Sequence, residues 1–259
     1  MENRLKTEIA AFDGIWQGGY YEGDPLEPVA RSNYGQIGYI SILHATYLRC
    51  IKPYIKPETV ALEIGVGRGA WTRCLLPAKE VWCLDALPAE YNRFWEYIGD
   101  AGNARYIQVE DFSCRDLPDN HFDYLFSFGC FCHISFVGIE EYAKNLFPKL
   151  KSGANCFWLV ADYEKYNRVV NNLPRHSIWA AAAPTGRRYA PFRKMLDWLK
   201  QVDKPEPLAP DADDVPRSGR WYNAGTKRTC EMLEKHGYEI VDEDVGTIVR
   251  DPVIHFRKP

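Results

Sequence analysis

The residues able to do chemistry come in a short, ordered series. Val60-Ala61-Leu62-Glu63-Ile64-Gly65-Val66-Gly67-Arg68-Gly69 leads an apolar, strand-like run into three glycines and then into a helical pattern. Glycines here let a ligand lie against the backbone, and the helix N-terminus that follows is a favourable place for polar groups of that ligand. Glu63 stands two residues before the first glycine, where a carboxylate suits a ligand that carries an amino group. Asp85 closes the next apolar run, about twenty residues on, where an acidic side chain can accept both hydroxyls of a ribose. Capping of a helix that begins near Pro88 is the other reading of Asp85. Glu110-Asp111-Phe112 follows the third apolar run. Asp111 could receive the amino group of an adenine while the Phe112 ring packs on the purine; the alternative is a solvated turn.

Gly65-x-Gly67-x-x-Ala70 also fits the dinucleotide fingerprint loosely, so a nicotinamide enzyme has to be weighed. Three features argue against it. A nicotinamide-binding strand is normally apolar where Glu63 sits. The tight spacing of Gly65, Gly67 and Gly69 fits a ligand without a pyrophosphate. The chain also ends in an antiparallel strand pair, at 239–245 and 253–256, because the turn between them is too short for a parallel crossover.

The elements that must position these residues alternate. Strands are expected at 59–64, 80–84, 105–109, 124–128 and 155–161, and helices at 69–76, 88–98 and 139–150. Gly153 reads as the glycine just past that last helix. A further helix is expected from about 40 to 51, ended by Pro53, and another from 224 to 236, closed by Gly237. Strands alternating with helices imply a mostly parallel sheet with right-handed crossovers. The rhythm breaks at Asp162. Residues 163–220, with several prolines and the acidic run at 204–211, read as a loop or extended insertion.

The chain has 259 residues and a net charge of −3, enough for one large domain and too little positive charge for a global nucleic-acid field. Nucleic acid is therefore a disfavoured partner, and a small molecule the expected one. Residues 1–14 are polar, and no run reaches the ~18–20 apolar residues of a membrane span, so a cytoplasmic protein off the membrane is expected. The eight cysteines have no metal-like spacing and read as reduced, packed thiols. The sequence leaves the oligomeric state open.

Taken in order, Glu63-x-Gly65-x-Gly67-x-Gly69, Asp85, Asp111-Phe112 and the strand ending in Phe128 resemble the successive motifs of class I S-adenosylmethionine-dependent methyltransferases. The likeness spans about 57–160 and resumes at 221–259, where the ending Arg250-Asp251-Pro252-Val253-Ile254-His255-Phe256 resembles the family's final reversed strand. The resemblance implies an α/β, Rossmann-like, seven-stranded and mostly parallel sheet with a reversed final strand. One domain covers 1–259: an N-terminal cover (1–56), a cofactor-binding half (57–162), a substrate-side insertion after strand five (163–220) and a C-terminal helix with an antiparallel strand pair (221–259). It further implies S-adenosyl-L-methionine as cofactor and S-adenosyl-L-homocysteine as product. Glu63 would lie near the methionine amino group, Asp85 on the ribose, Asp111 on adenine, and Gly65, Gly67, Gly69, Phe112 and Phe128 would complete the pocket.

Methyl transfer to a hydroxyl needs a positioned base. His133, just after the fourth strand, has a suitable ordinary pKa of about 6.5. Packing on the sheet or capping the next helix is the plainer role. Asp162 is the second candidate: it could orient His133, contact the acceptor or hold a divalent ion, although one Asp does not make a metal site and no metal is expected. The segment after Ser127 is Phe-Gly-Cys-Phe. It lacks the Asn/Asp-Pro-Pro-Tyr/Phe signature that marks amino-group methyltransferases of DNA bases, and no Pro-Cys nucleophile is present.

Tyr21 and Tyr34 could cover the site, or simply pack the N-terminal segment. Arg187 and Arg188, among other arginines and aromatics of the insertion, could hold an anionic or sugar-like acceptor, or form a solvated face. A narrower likeness, resting on the Phe-Cys-His-Ile segment and the ending near Pro259, is to bacterial small-molecule and sugar O-methyltransferases of secondary metabolism or polysaccharide modification. The expectation is therefore O-methylation of a small hydroxylated acceptor, with N-methylation, a non-catalytic S-adenosylmethionine-binding protein and a nicotinamide oxidoreductase as competing readings.

Overall fold

The structure, a computed structural model, describes residues 5–6, 24–28, 41–172, 222–248 and 250–259. Its strands are β1 (Val60–Ile64), β2 (Glu80–Asp85), β3 (Ala104–Gln108), β4 (Phe122–Ser127), β5 (Leu150–Leu159), β6 (Glu239–Asp242) and β7 (Val253–Arg257). They form a seven-stranded sheet in the order β3-β2-β1-β4-β5-β7-β6. β1 to β5 run parallel, and β7 is antiparallel to both β5 and β6. This is the expected α/β architecture with its reversed final strand.

Strand side chains alternate between two faces, and each face packs its own core. Leu62, Ile64, Leu125 and Trp158 point to one side, where they meet Ile139, Leu146 and Leu233. Ala61, Tyr124, Phe126 and Phe157 point to the other, toward Ile51, Trp71 and Cys74. The first side is covered by α5 (Phe136–Leu146) and α7 (Thr226–Lys235). The second is covered by α2 (Ala70–Leu75) and by α1 (Ile42–Thr46), which continues as a π-helical turn, Tyr47–Ile51. Glu63 falls on the α2 side, in phase with Ala61.

Four local expectations are corrected. The helix expected at 88–98 is split into α3 (Ala89–Asn92) and α4 (Phe94–Ile98), because Arg93 takes a left-handed conformation with φ of 52°. The break turns Asn92 inward, where it is fully buried. The helix expected at 139–150 starts earlier, where the Ser135 hydroxyl accepts the Gly138 N–H at 3.3 Å, and ends at Leu146. Gly153 does not follow a helix: it lies inside β5, with φ of 81°, where the β4–β5 register shifts between Phe122 and Tyr124. Finally, the stretch directly after Asp162 is α6 (Tyr163–Asn172) and not a loop. The first proline of the insertion is Pro174, so nothing before it stops a helix that Asp162 caps.

All eight cysteines are free thiols and seven are buried, as small apolar fillers would be. Among the described residues no helix is long and apolar enough to cross a membrane.

Candidate functional site

The chain runs outward from β1 to β2 and β3, then crosses back to β4 on the other side of β1. Sheets of this kind open a crevice at the carboxyl ends of the strands where the direction reverses. Glu63, Gly65, Gly67, Gly69 and Asp85 lie at these ends of β1 and β2.

Gly65 is the tightest point. Its N–H donates to the Leu84 carbonyl at 2.7 Å, and its φ is 73°. A Cβ on Gly65 would lie 2.3 Å from the Cys130 Cβ and 2.5 Å from its Sγ, so the loop after β4 presses directly on the glycine loop. Gly67, at φ 50°, donates its N–H to Asp85 Oδ2 at 2.9 Å. Gly69 has φ of 97° and caps α2, where a Cβ would meet the Ile98 methyl at 2.5 Å. Each of these three glycines is required by conformation, and the first and third also by close approach.

Glu63 is 2 % exposed, and its Oε2 accepts the Thr72 hydroxyl at 2.6 Å. Burial pushes its carboxyl up to about 8, against the pull of the Thr72 hydrogen bond and reinforced by the negative charge of Asp85. Asp85 accepts Gly67 N–H on one oxygen and Leu87 N–H, at 2.9 Å, on the other. Burial raises its carboxyl too, opposed by those N–H groups and by the Asn92 amide. Asn92 in turn donates to the Tyr106 hydroxyl at 2.9 Å, and Tyr106 donates to the Leu87 carbonyl at 2.6 Å. Asp85 is therefore held in place by both flanking turns, with lone pairs remaining for hydroxyl donors.

Asp111 lines a cavity of about 340 Å³ beyond β3, together with Leu84, Val109 and Cys114. Its Oδ1 accepts Ser113 N–H at 2.9 Å, and Oδ2 pairs with Arg115. The Ser113 hydrogen bonds, helped by Arg115, hold its carboxyl below the usual range. Phe112 is placed differently from the expectation. It is 2 % exposed, its ring 5.0 Å from that of Tyr142 and close against Gly138, so it packs the core and has no open face for a purine. Phe128 is half-buried, its ring 4.6 Å from Trp71 of α2.

His133 ends a single 3-10 turn, Phe131–His133, in the loop after β4. The same loop is tied to the C-terminal part of the chain, since Tyr222 N–H donates to the Cys132 carbonyl at 2.9 Å. Asp162 has a structural task. Its Oδ1 accepts Lys165 N–H at 2.9 Å and caps α6, while Oδ2 accepts Thr226 N–H at 2.9 Å and the Thr226 hydroxyl, capping α7. Burial would raise this carboxyl, but the Thr226 and Lys165 hydrogen bonds outweigh it and the net direction is down. With both oxygens engaged at two helix ends, Asp162 is a clasp, not a group aimed at an acceptor. Among the described residues no cluster of His, Cys, Asp and Glu could hold a metal ion. Tyr21, Tyr34, Arg187 and Arg188 lie outside the described residues.

Three residues of the site escaped the sequence reading: Thr72, Asn92 and Cys130. Thr72 is the one hydroxyl on the buried side of α2, a signal legible once Glu63 is taken as buried. Asn92 and Cys130 depend on a backbone break and a loop approach that no local pattern announces.

The donor set fits a ligand with a ribose and a cationic amine: paired acceptors at Asp85, a buried acid at Glu63 and a backbone cradle between them. Residues 61–153 match a family profile described as "Methyltransferase domain". No curated protein sequence matches the chain. Among solved structures, the fold is similar to N-methyltransferase NodS from Bradyrhizobium japonicum WM9 in complex with S-adenosyl-L-homocysteine, with a TM-score of 0.51 at 14 % identity over 83 % of this chain and 85 % of that one. A chain of the "Complex between the Haloferax volcanii Trm112 methyltransferase activator and the putative methyltransferase" gives 0.52 at 11 % identity, over 84 % and 89 %. At such identities the likeness is one of fold. Residues 61–153 thus match a methyltransferase-domain profile, and the chain shares its fold with these solved methyltransferase structures.

Two outcomes test this geometry. Asp162→Ala should cost about 2–3 kcal/mol in urea unfolding, since it uncaps two helices at ~1 kcal/mol each and strands the Thr226 donors. Asp162→Asn should lose less. Because the Glu63 carboxyl is raised in the folded state, its stabilising effect is complete below the unfolded pKa and drains away as pH climbs toward 8. Glu63→Gln should therefore gain on wild type between pH 5 and 8, by up to about 1.4 kcal/mol per pH unit, and a flat difference across that range would contradict the assignment.

Proposed function

We propose that this enzyme transfers the methyl group of S-adenosylmethionine to a hydroxyl of a small-molecule acceptor, a sugar or natural-product intermediate, with His133 as general base. The observation that carries the reading is the contact of Cys130 with Gly65. It brings the loop bearing His133 against the glycine loop, which supports a base beside the glycine loop assigned here to the cofactor.

When bound, S-adenosylmethionine supplies an activated methyl group on a sulfonium, so the protein contributes alignment and proton handling. Gly65 and Gly67 clear the backbone for the ligand, Glu63 faces its amino group, and Asp85 accepts the ribose hydroxyls. Asp111 serves the adenine end, in competition with Arg115 for its second oxygen. His133 takes the proton of the acceptor hydroxyl, a role for which imidazole is suited near neutral pH. Asp162 takes no part in the transfer.

Thermal unfolding with S-adenosylmethionine, S-adenosylhomocysteine and NAD tests the cofactor. The first two should stabilise wild type by about 2.7 kcal/mol at 100 times their dissociation constants, with the shift shrinking in Asp85→Ala; stabilisation by NAD alone would reverse the reading. Screening with labelled S-adenosylmethionine against hydroxylated acceptors and amines tests the transfer. His133→Ala should lower kcat by about 10²–10⁴-fold with S-adenosylhomocysteine affinity intact. Methylation of an amine, indifferent to His133→Ala, would instead assign N-methyl transfer.

A further inference from the structure

Among the described residues, the surroundings of Glu63 hold no counter-charge. Its register partners are Cys83 on β2 and Phe126 on β4, and Thr72 and Cys74 face it from α2. The nearest charged group on β2 is another acid, Asp85. The neighbouring cations are engaged elsewhere: Arg73 pairs with Asp24 at 2.7 Å, and Arg68 lies over the Tyr97 ring at 5.8 Å. A carboxylate 2 % exposed, with one hydroxyl donor and an acid beside it, is costly to ionise.

We infer that Glu63 meets its ligand as a neutral acid and gives up its proton when the ligand's ammonium group arrives, so that the cofactor loads with release of one proton to solvent. This deepens the cofactor reading above and rests on it. The proton balance is simple: the Glu63 O–H bond breaks, the proton passes to buffer, and the carboxylate is left opposite the ammonium. The raised carboxyl of Glu63 agrees with the geometry. Thr72, whose hydroxyl donates to the carboxyl, eases the ionisation, because a hydrogen bond to the charged form favours it. The device also selects its ligand. A nucleoside without the amine has nothing to offer the buried acid and binds without moving a proton.

Isothermal titration of wild type with S-adenosylhomocysteine at pH 7, in phosphate and in Tris buffers of different ionisation enthalpy, reads the proton directly. Close to one proton should be released per ligand bound, and affinity should rise about tenfold per pH unit between pH 6 and 7.5. Glu63→Gln should bind with no proton release and no such slope. Thr72→Val should move the slope to higher pH, and adenosine should bind to wild type without proton release. Binding of S-adenosylhomocysteine to wild type without proton release, or with equal release in Glu63→Gln, overturns the inference alone. If S-adenosylhomocysteine does not bind wild type, the cofactor reading falls and takes the inference with it.

Discussion

Two loops meet at the middle of the sheet, and their contact governs the rest of the site. Gly65 leaves β1 in a left-handed turn bonded to Leu84, and Cys130 closes over it from the loop after β4. Nothing larger than a hydrogen fits on Gly65, so the ends of β1 and β4 are brought as near as backbone allows. Around this contact Glu63 lies buried near the end of β1, Gly67 donates its N–H to Asp85, and His133 follows three residues after Cys130. The parallel order of β1, β2 and β4 is what points all three ends to one side.

Much of this was legible in the residues, and the reasons differ. The strands could be read because buried parallel strands are short apolar runs, and β1, β2 and β5 are nearly that. The antiparallel pairing of β6 with β7 followed from a connection too short for a crossover. The order of the strands did not follow from any local signal; the resemblance implied only seven strands, with the last inserted antiparallel near one edge. Features set by single backbone conformations were hidden. Arg93 breaks a helix whose apolar spacing continues across it, and Gly153 sits in a strand bulge that looks, in sequence, like a helix end.

The acidic residues show where such reading succeeds and fails. An Asp at a strand end looks the same whether it receives a ligand or caps a helix, and Asp85 and Asp162 were both read as functional on that ground. Asp162 proves to cap two helices, and Asp85 receives N–H groups from two turns. Glu63 differs because it lies inside a buried strand, where no capping role exists and solvent is absent. A charge-bearing residue placed there needs a chemical reason, which made it the most informative position in the chain. Phe112 is the converse case: an aromatic beside an acid suggested a base-stacking surface, yet the ring is taken up by Tyr142 and Gly138.

The clasp at Asp162 has a consequence for how this fold can change. Its two oxygens hold the start of α6 and the start of α7, and the Ala161 carbonyl accepts N–H groups from Ala224 and Gly225 beside them. The segment from Tyr163 to Gly225 therefore begins and returns at nearly one point. A loop closed at its base costs little to lengthen, about 0.6 kcal/mol for each doubling. Closure entropy therefore sets little limit on the length of chain that such a base can carry. The base itself is tied just past β5, by both oxygens of Asp162 and by the Ala161 carbonyl.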